Sequence, residues 1–326
     1  VTIAPACSGY EGIGLILAFL GVYLVAARDE LRFPQALWLL PLGTAAIWLA
    51  NVARITGLIL LGDAGFGQVA VNGFHSVAGL IGLNVVGLGL IVGARRVGLF
   101  HRVNRAEVES GSNPTAAYLL PWLALLGVSM LTTAVSDGSV NRLYPARLIA
   151  AIGVFWTYRR EVDESSLWRR DGSWASVGVG TAVFAAWMAL DVRLWSAAAS
   201  ISAPAGLAAM GPGARALWLG SRVFGAVVVI PVAEELAFRG FLARRLQSSE
   251  FWTVVPERLG WPSLVISSAL FGLLHQRWAV GMLAGLAYGL VYRRRGRLGD
   301  AIVAHGVTNA LLALWVVVTG DWGPWT

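Results

Sequence analysis

The chain has 326 residues, 57% of them hydrophobic and only 13% charged, with a mean hydropathy of +0.67. Soluble globular chains carry about 25% charged residues, so this composition, with its 15 Trp and 39 Gly, excludes soluble DNA-binding domains, disordered tails and disulfide scaffolds. The net charge of +7 comes from Arg alone, in short clusters between apolar runs, which is the chemistry of membrane topology rather than of nucleic-acid binding.

An all-Arg basic set is a mark of GC-rich bacterial coding, and a single Cys rules out any intrachain disulfide. The chain opens at Val1, and no basic stretch followed by an apolar core and a small-residue cleavage site is visible. An N-terminal part of a longer protein is therefore expected to precede it. Apolar runs of spanning character follow at 12–27, 36–61, 76–94, 116–135, 145–158, 173–198, 216–233, 263–275, 278–292 and 300–318. The fifth and eighth are short. Continuous runs of this kind are not the alternating segments of a β-barrel, so the expected fold is all-α, a polytopic transmembrane helical bundle of about ten spans.

Arg clusters follow the first, third, fifth, seventh and ninth runs, which places those loops in the cytoplasm and 1–11, 62–75 and 136–144 outside. The polar stretch 95–115 combines charge with Gly, Ser, Asn and Pro and reads as a domain boundary. Residues 1–105 and 106–326 are the two expected domains.

The first domain holds one Cys, one intramembrane Arg and one His on its outer side. Cys7 sits just before the first span, Arg54 lies within an otherwise apolar helix, and His75 ends a loop at the mouth of the next span. A thiolate attacks a peptide carbonyl once an adjacent His takes its proton. A nearby Arg favours the thiolate and holds an oxyanion, and an Arg within a span is a functional candidate by default. Plainer readings exist for each: a buried small thiol, a snorkelling Arg and a solvated loop His. Ala6-Cys7-Ser8-Gly9, then Asn51-x-x-Arg54-Ile55, then Phe74-His75 before an apolar span resemble the exosortase family, in that order. These are bacterial membrane cysteine transpeptidases acting on C-terminal sorting signals. The resemblance implies Cys7 as nucleophile, His75 as general base and Arg54 as electrostatic stabiliser. Exosortases carry several spans before the Cys, and this chain shows none.

The second domain gathers polar residues that a plain anchor would avoid. Glu235 and Arg239 are four apart and pair on a helix, while Glu234 points about 100° away. His275 follows Phe271 by four residues, and His305 and Asn309 share a helix face. A buried carboxylate with imidazoles points to water activation, with Glu as general base or with a bound metal, and His305 and Asn309 are placed to donate to an oxyanion. The spacing is not that of His-Glu-x-x-His zinc sites. A structural ion pair and capping His residues are the plainer alternatives. Glu234-Glu235-x-x-x-Arg239, Phe271-x-x-x-His275 and His305-x-x-x-Asn309 resemble the CAAX protease and bacteriocin-processing family. That resemblance implies an intramembrane endopeptidase in which Glu234 activates water and His275 assists. It makes His305 and Asn309 the oxyanion hole and gives Glu235 and Arg239 the support of the site. On the expected topology Glu234 and His305 fall near the cytoplasmic side and His275 on the other, unless 251–275 is re-entrant.

The order of the two halves resembles the fused exosortase E/protease of the VPEID-CTERM sorting system. It implies a multi-pass protein of the bacterial inner membrane whose partners are exported proteins with a C-terminal sorting signal and membrane lipids, with no nucleic acid. No cofactor is expected, and a metal at the second site is left open. Two other readings compete. One is a protease whose front half is scaffold; the other is a transporter, which calls for charges spread over both halves and broken helices in matched positions.

Overall fold

A computed structural model of the chain describes residues 9–70, 75–101, 113–136, 140–162, 174–195 and 203–323. Among the described residues the structure is helical, and its one extended pairing is an isolated bridge between Leu31 and His101. The helices are α1 (Tyr10–Ala26), α2 (Leu39–Asp63), α3 (His75–Arg96), α4 (Pro114–Ala134), α5 (Tyr144–Tyr158) and α6 (Trp174–Trp195). They continue as α7 (Pro212–Ala243), α8 (Trp261–Leu273), α9 (Trp278–Arg295) and α10 (Leu298–Thr319).

The all-α expectation holds, and so does multi-pass membrane character. The span count does not follow as expected. By length and composition, five helical stretches among the described residues are fit to cross a membrane: Gln35–Asp63, Val77–Arg96, Pro114–Ala134, Pro212–Ala243 and Leu298–Thr319. Tyr10–Val25, Trp174–Leu190 and Trp261–Leu273 are apolar but shorter. The 13 residues of α8 reach about 20 Å, against a hydrocarbon core of about 30 Å. A run of apolar residues is thus a weaker statement than a crossing.

The chain divides into two compact units, one of Val1–Gly111 with Met130–Asn141 and the other of Ser112–Ser129 with Arg142–Thr326. In the first unit, α1, α2 and α3 pack on one another. Ile16, Leu20 and Ile47 are buried against Leu83, Val86 and Leu90, while Leu24, Leu31, Leu39 and Ala94 form a second cluster. Many large apolar side chains on these helices, such as Val22, Val25, Trp48 and Leu60, stay exposed. That is the surface expected of helices that face lipid.

The second unit has a denser core, in which Leu236, Leu264, Ala284, Tyr288, Tyr292, Ala301 and Ala304 are buried. Helices α8 and α9 meet along a stripe of small residues. A side chain at Gly281 would press on Gly272, one at Gly285 on Ser268, and one at Gly289 on Leu264. Steps of four on one helix match steps of four on its antiparallel neighbour, which is the small-residue packing that membrane helices use. Asp300, in the first turn of α10, ties three elements together. It accepts from Ser176 Oγ at 3.2 Å and pairs with Arg295 Nε at 3.3 Å and Arg297 Nε at 3.2 Å.

Helix α7 is not uniform. Gly225–Val229 and Leu236–Ala243 are wound as π-helix, with the α-helical turn Ile230–Glu235 between them. Pro231 accounts for the first of these. Its ring crowds the carbonyl four residues back, and widening the turn relieves the clash, so Ile230 N–H bonds Gly225 O, five residues back. Such π segments gather at functional sites, and here they flank the Glu234-Glu235 pair on both sides.

Candidate active sites

In the second unit the polar residues singled out from the sequence converge. Glu234 lies within α7 rather than at the end of a span at 233, because the helix runs on through Arg239 and Gly240 to Ala243. His275 follows the end of α8, and His305 and Asn309 stand one turn apart on α10. A cavity of about 200 Å³ is lined by Glu234, His275, His305 and Asn309, together with Trp187, Phe271 and Tyr288. The expectation that His275 lies on the far side from Glu234 is therefore corrected. It treats 263–275 as a full crossing, and α8 is too short for one.

His305 stands between the two carboxylates. Its Nδ1 is 3.0 Å from Glu235 Oε1, and its Nε2 is 3.8 Å from Glu234 Oε2. The first distance is a hydrogen bond in which the ring N–H donates. The second is beyond bonding reach, and Glu234 Oε2 has no hydrogen-bond partner among the described residues. Tyr288 stacks on the His305 ring at 4.8 Å and 16°, with Phe271 edge-on at 5.7 Å. The Tyr288 hydroxyl donates to Thr308 Oγ1 at 2.9 Å, and Thr308 Oγ1 lies 2.9 Å from Gly180 O. The imidazole is thus fixed by one carboxylate, one stacked ring and one edge.

Glu235 and Arg239 are 0% and 1% exposed and approach to 3.1 Å, a close ion pair whose Nε–H is not aimed at the oxygen. Arg239 Nη2 donates to Gly285 O at 2.8 Å, and its guanidinium lies over Phe271 at 4.4 Å. Gly285 permits this, since a Cβ there would come within 3.1 Å of Arg239, Phe271 and Ser268. His275 Nδ1 is 2.8 Å from Phe271 O. A carbonyl only accepts, so Nδ1 carries a proton, and in the neutral ring Nε2 is then the acceptor. Asn309 Nδ2 donates to Ala226 O at 2.8 Å.

Sequence reasoning misses Tyr288, Thr308 and Gly180, which lie in apolar runs. Phe271 belongs to a motif that assigns it no role. Gly281, Gly285 and Gly289, at intervals of four, are the available signal for the packing behind Arg239. No group of three or more His, Cys, Asp or Glu among the described residues is arranged to hold a metal ion.

In the first unit, Cys7 lies outside the described residues. His75 opens α3, and its side chain lies outside them as well. Arg54 is described, in the middle of α2 and partly buried, with no hydrogen-bond partner for its buried Nε among the described residues. A cavity of about 210 Å³ is lined by Gly9, Glu11, Asn51, Arg54 and Gly79, among others. Gly9 is two residues after Cys7, and Gly79 is one helical turn after His75. A Cβ at Gly79 would lie 2.8 Å from Arg54 Nη1, and one at Gly9 would lie 2.7 Å from Asn51 Nδ2. Gly9 also has φ +85°, so the backbone at Gly9 is left-handed and leaves no room for a side chain against Asn51 of α2.

Residues 1–93 match the family model of transmembrane exosortases (Exosortase_EpsH), and residues 214–311 match that of type II CAAX prenyl endopeptidases, Rce1-like. The chain is therefore similar to exosortases over its first part and to Rce1-like endopeptidases over its last, the pairing that the two sets of motifs imply. No curated protein and no solved structure matches it. The matches and the helices fit to cross a membrane agree on a multi-pass membrane protein with similarity to membrane proteases.

Proposed function

We propose that the chain is a two-headed processing enzyme of the bacterial inner membrane. One head is a glutamate-dependent endopeptidase, and the other is a cysteine transpeptidase acting on exported proteins with a C-terminal sorting signal of the VPEID-CTERM type. The observation that carries the first head is the His305 imidazole between Glu235 and Glu234 at 3.0 and 3.8 Å, on a cavity shared with His275 and Asn309.

Glu234 is the base. Its carboxylate lines the cavity, takes a proton from water, and the water oxygen adds to the scissile carbonyl. His275 Nε2, the acceptor of the neutral ring, accepts the water's other hydrogen and orients it. Asn309 donates to the tetrahedral oxyanion, and so does His305 as its imidazolium, with Nδ1–H held by Glu235 and Nε2–H free. As the intermediate collapses the C–N bond breaks, and the proton held on Glu234 passes to the leaving amine. Glu235 keeps Nδ1 of His305 protonated, and Arg239 compensates the charge of Glu235. No cofactor enters these steps.

At the second head, the Cys7 thiolate attacks the carbonyl at the signal, with His75 taking the thiol proton and then giving it to the amine that leaves. The thioester passes its acyl group to an acceptor nucleophile, and Arg54 steadies the oxyanion. Support comes from the exosortase match and from the cavity that brings Gly9, Arg54 and Gly79 together.

The test is a tagged reporter bearing a VPEID-type signal, co-expressed with wild-type protein, Cys7→Ala or Glu234→Gln, with mass spectrometry of the new terminus. Cys7→Ala is expected to abolish processing at the signal. Glu234→Gln is expected to spare it and to lower cleavage of a mixed pool of quenched peptides by about 10²–10⁴-fold. Loss of reporter processing in Glu234→Gln alone would assign the signal to the protease head and leave the first unit as scaffold.

A further inference from the structure

Asn309 has an unusual partner, and the reason lies in the primary sequence. Helix carbonyls accept from the N–H four residues on in an α-helix and five on in a π-helix. Around Ala226 the register is five, as the Ile230 N–H bond to Gly225 O shows. The residue five beyond Ala226 is Pro231, which has no N–H. The Ala226 carbonyl is therefore left without a helix donor, and a carbonyl left unpaired away from water is costly. Asn309 Nδ2 supplies the missing hydrogen at 2.8 Å from α10. The two helices lie close enough for this because Gly306, one turn before, has no side chain: a Cβ there would meet Val227 O at 2.8 Å.

We infer that Pro231 is a positioning residue for Asn309: by removing one backbone hydrogen it creates the acceptor that orients the Asn309 amide in the cavity. An Asn amide can turn either end toward a neighbour, and only one end donates. An open carbonyl selects Nδ2. One of its two hydrogens goes to Ala226 O, and the second stays in the same plane, fixed in direction, on a residue that lines the cavity beside Glu234 and His305. Oxyanion stabilisation depends on donors set in place before charge develops, so the orphaned carbonyl sets the direction in advance. The inference rests on the proposed role of Asn309 as an oxyanion donor.

The change Pro231→Ala removes the device at a residue that does not itself line the cavity. Ala226 O then gains a backbone donor in either register, from the N–H restored at position 231 in the π form or from Ile230 N–H in the α form. The full-length chain in detergent micelles is assayed on the mixed pool of quenched peptides as wild type, Pro231→Ala, Asn309→Ala and both together, with thermal unfolding recorded for all four. Asn309→Ala is expected to lower kcat by about 100-fold. Pro231→Ala is expected to lower kcat about tenfold, the equivalent of one misdirected hydrogen bond, with KM unchanged. The double variant should match Asn309→Ala in kcat. Asn309→Ala should also lower the unfolding temperature less in the Pro231→Ala background, since the carbonyl is no longer left open. Multiplying kcat losses with equal temperature shifts in both backgrounds would overturn the inference while leaving Asn309 a donor. No effect of Asn309→Ala on kcat would instead remove the oxyanion role on which it rests.

Discussion

The two units place their charged groups in opposite ways. In the second unit all those of the site but His275, which follows the end of α8, lie in the interior of long helices. Glu235 and Arg239 are sealed against each other, and His305 is bonded to Glu235 and stacked on Tyr288. In the first unit the proposed chemistry sits at helix ends, with Cys7 before α1 and His75 at the start of α3, and only Arg54 within a helix. Charges sealed mid-helix, as at Glu235 and Arg239, have to be met by their neighbours. Groups at helix ends are placed by the turns that lead into them. The second cluster is held by electrostatic compensation, and the first site, as proposed, would rest on backbone geometry.

The largest expected contrast is between the two intrahelical arginines. Arg239→Met leaves the fully buried Glu235 with His305 as its remaining partner. Breaking a buried pair from one side costs about 3–5 kcal/mol, so the unfolding temperature should fall steeply in detergent. Arg54→Met removes a charge whose buried Nε has no partner among the described residues. Unfolding temperature should stay level or rise, while processing of the sorting signal falls by about 10²–10³-fold. Equal destabilisation by both changes would break the comparison, since Arg54 would then be as much a structural ion as Arg239.

Glycines give the next contrast. Gly285→Ala places a Cβ 3.1 Å from Arg239, the Phe271 ring and the Ser268 backbone, whereas at Gly82 the nearest atom, Ala50 Cβ, is 3.7 Å away. The first should cost about 1–3 kcal/mol through overpacking and slow peptide cleavage by displacing Arg239 from Gly285 O. The second should be silent. Thermal unfolding with paired kinetics checks both, and a silent Gly285→Ala would show that the ion pair does not depend on the close approach of α8 and α9.

Much of this is open to the sequence, for uneven reasons. Helix type and place follow from apolar runs, because hydropathy records what lies beside lipid or core. Crossing does not follow, because hydropathy does not measure length against depth, as α8 shows. By hydropathy the seventh run ends at 233, since Glu234, Glu235 and Arg239 lower the local value. In the structure Glu235 and Arg239 pair with each other on α7, with His305 on α10 and Gly285 O on α9 as further partners, and the helix continues. Glu234, His275, His305 and Asn309 are legible as chemistry because such residues stand out in apolar surroundings. Tyr288, Thr308 and Pro231 are not, since a tyrosine, a threonine and a proline in an apolar run carry no such signal until the fold shows what they touch.

The smallest effect tests the backbone side of the comparison. Gly9 and Gly65 have nearly the same left-handed backbone, φ +85° and +87°, but a Cβ at Gly9 meets Asn51 Nδ2 at 2.7 Å and one at Gly65 meets nothing within 4 Å. Left-handed geometry costs an L-residue about 1–2 kcal/mol, so both Ala variants should lose stability by that amount. Only Gly9→Ala also presses a Cβ on Asn51 of the helix that carries Arg54. It should therefore reduce processing of the sorting signal several-fold beyond Gly65→Ala, with cleavage of quenched peptides unchanged in both. If the two variants process the signal equally, the Gly9 contact with α2 does not set the position of Cys7. Geometry at the helix ends would then not be what holds the first site.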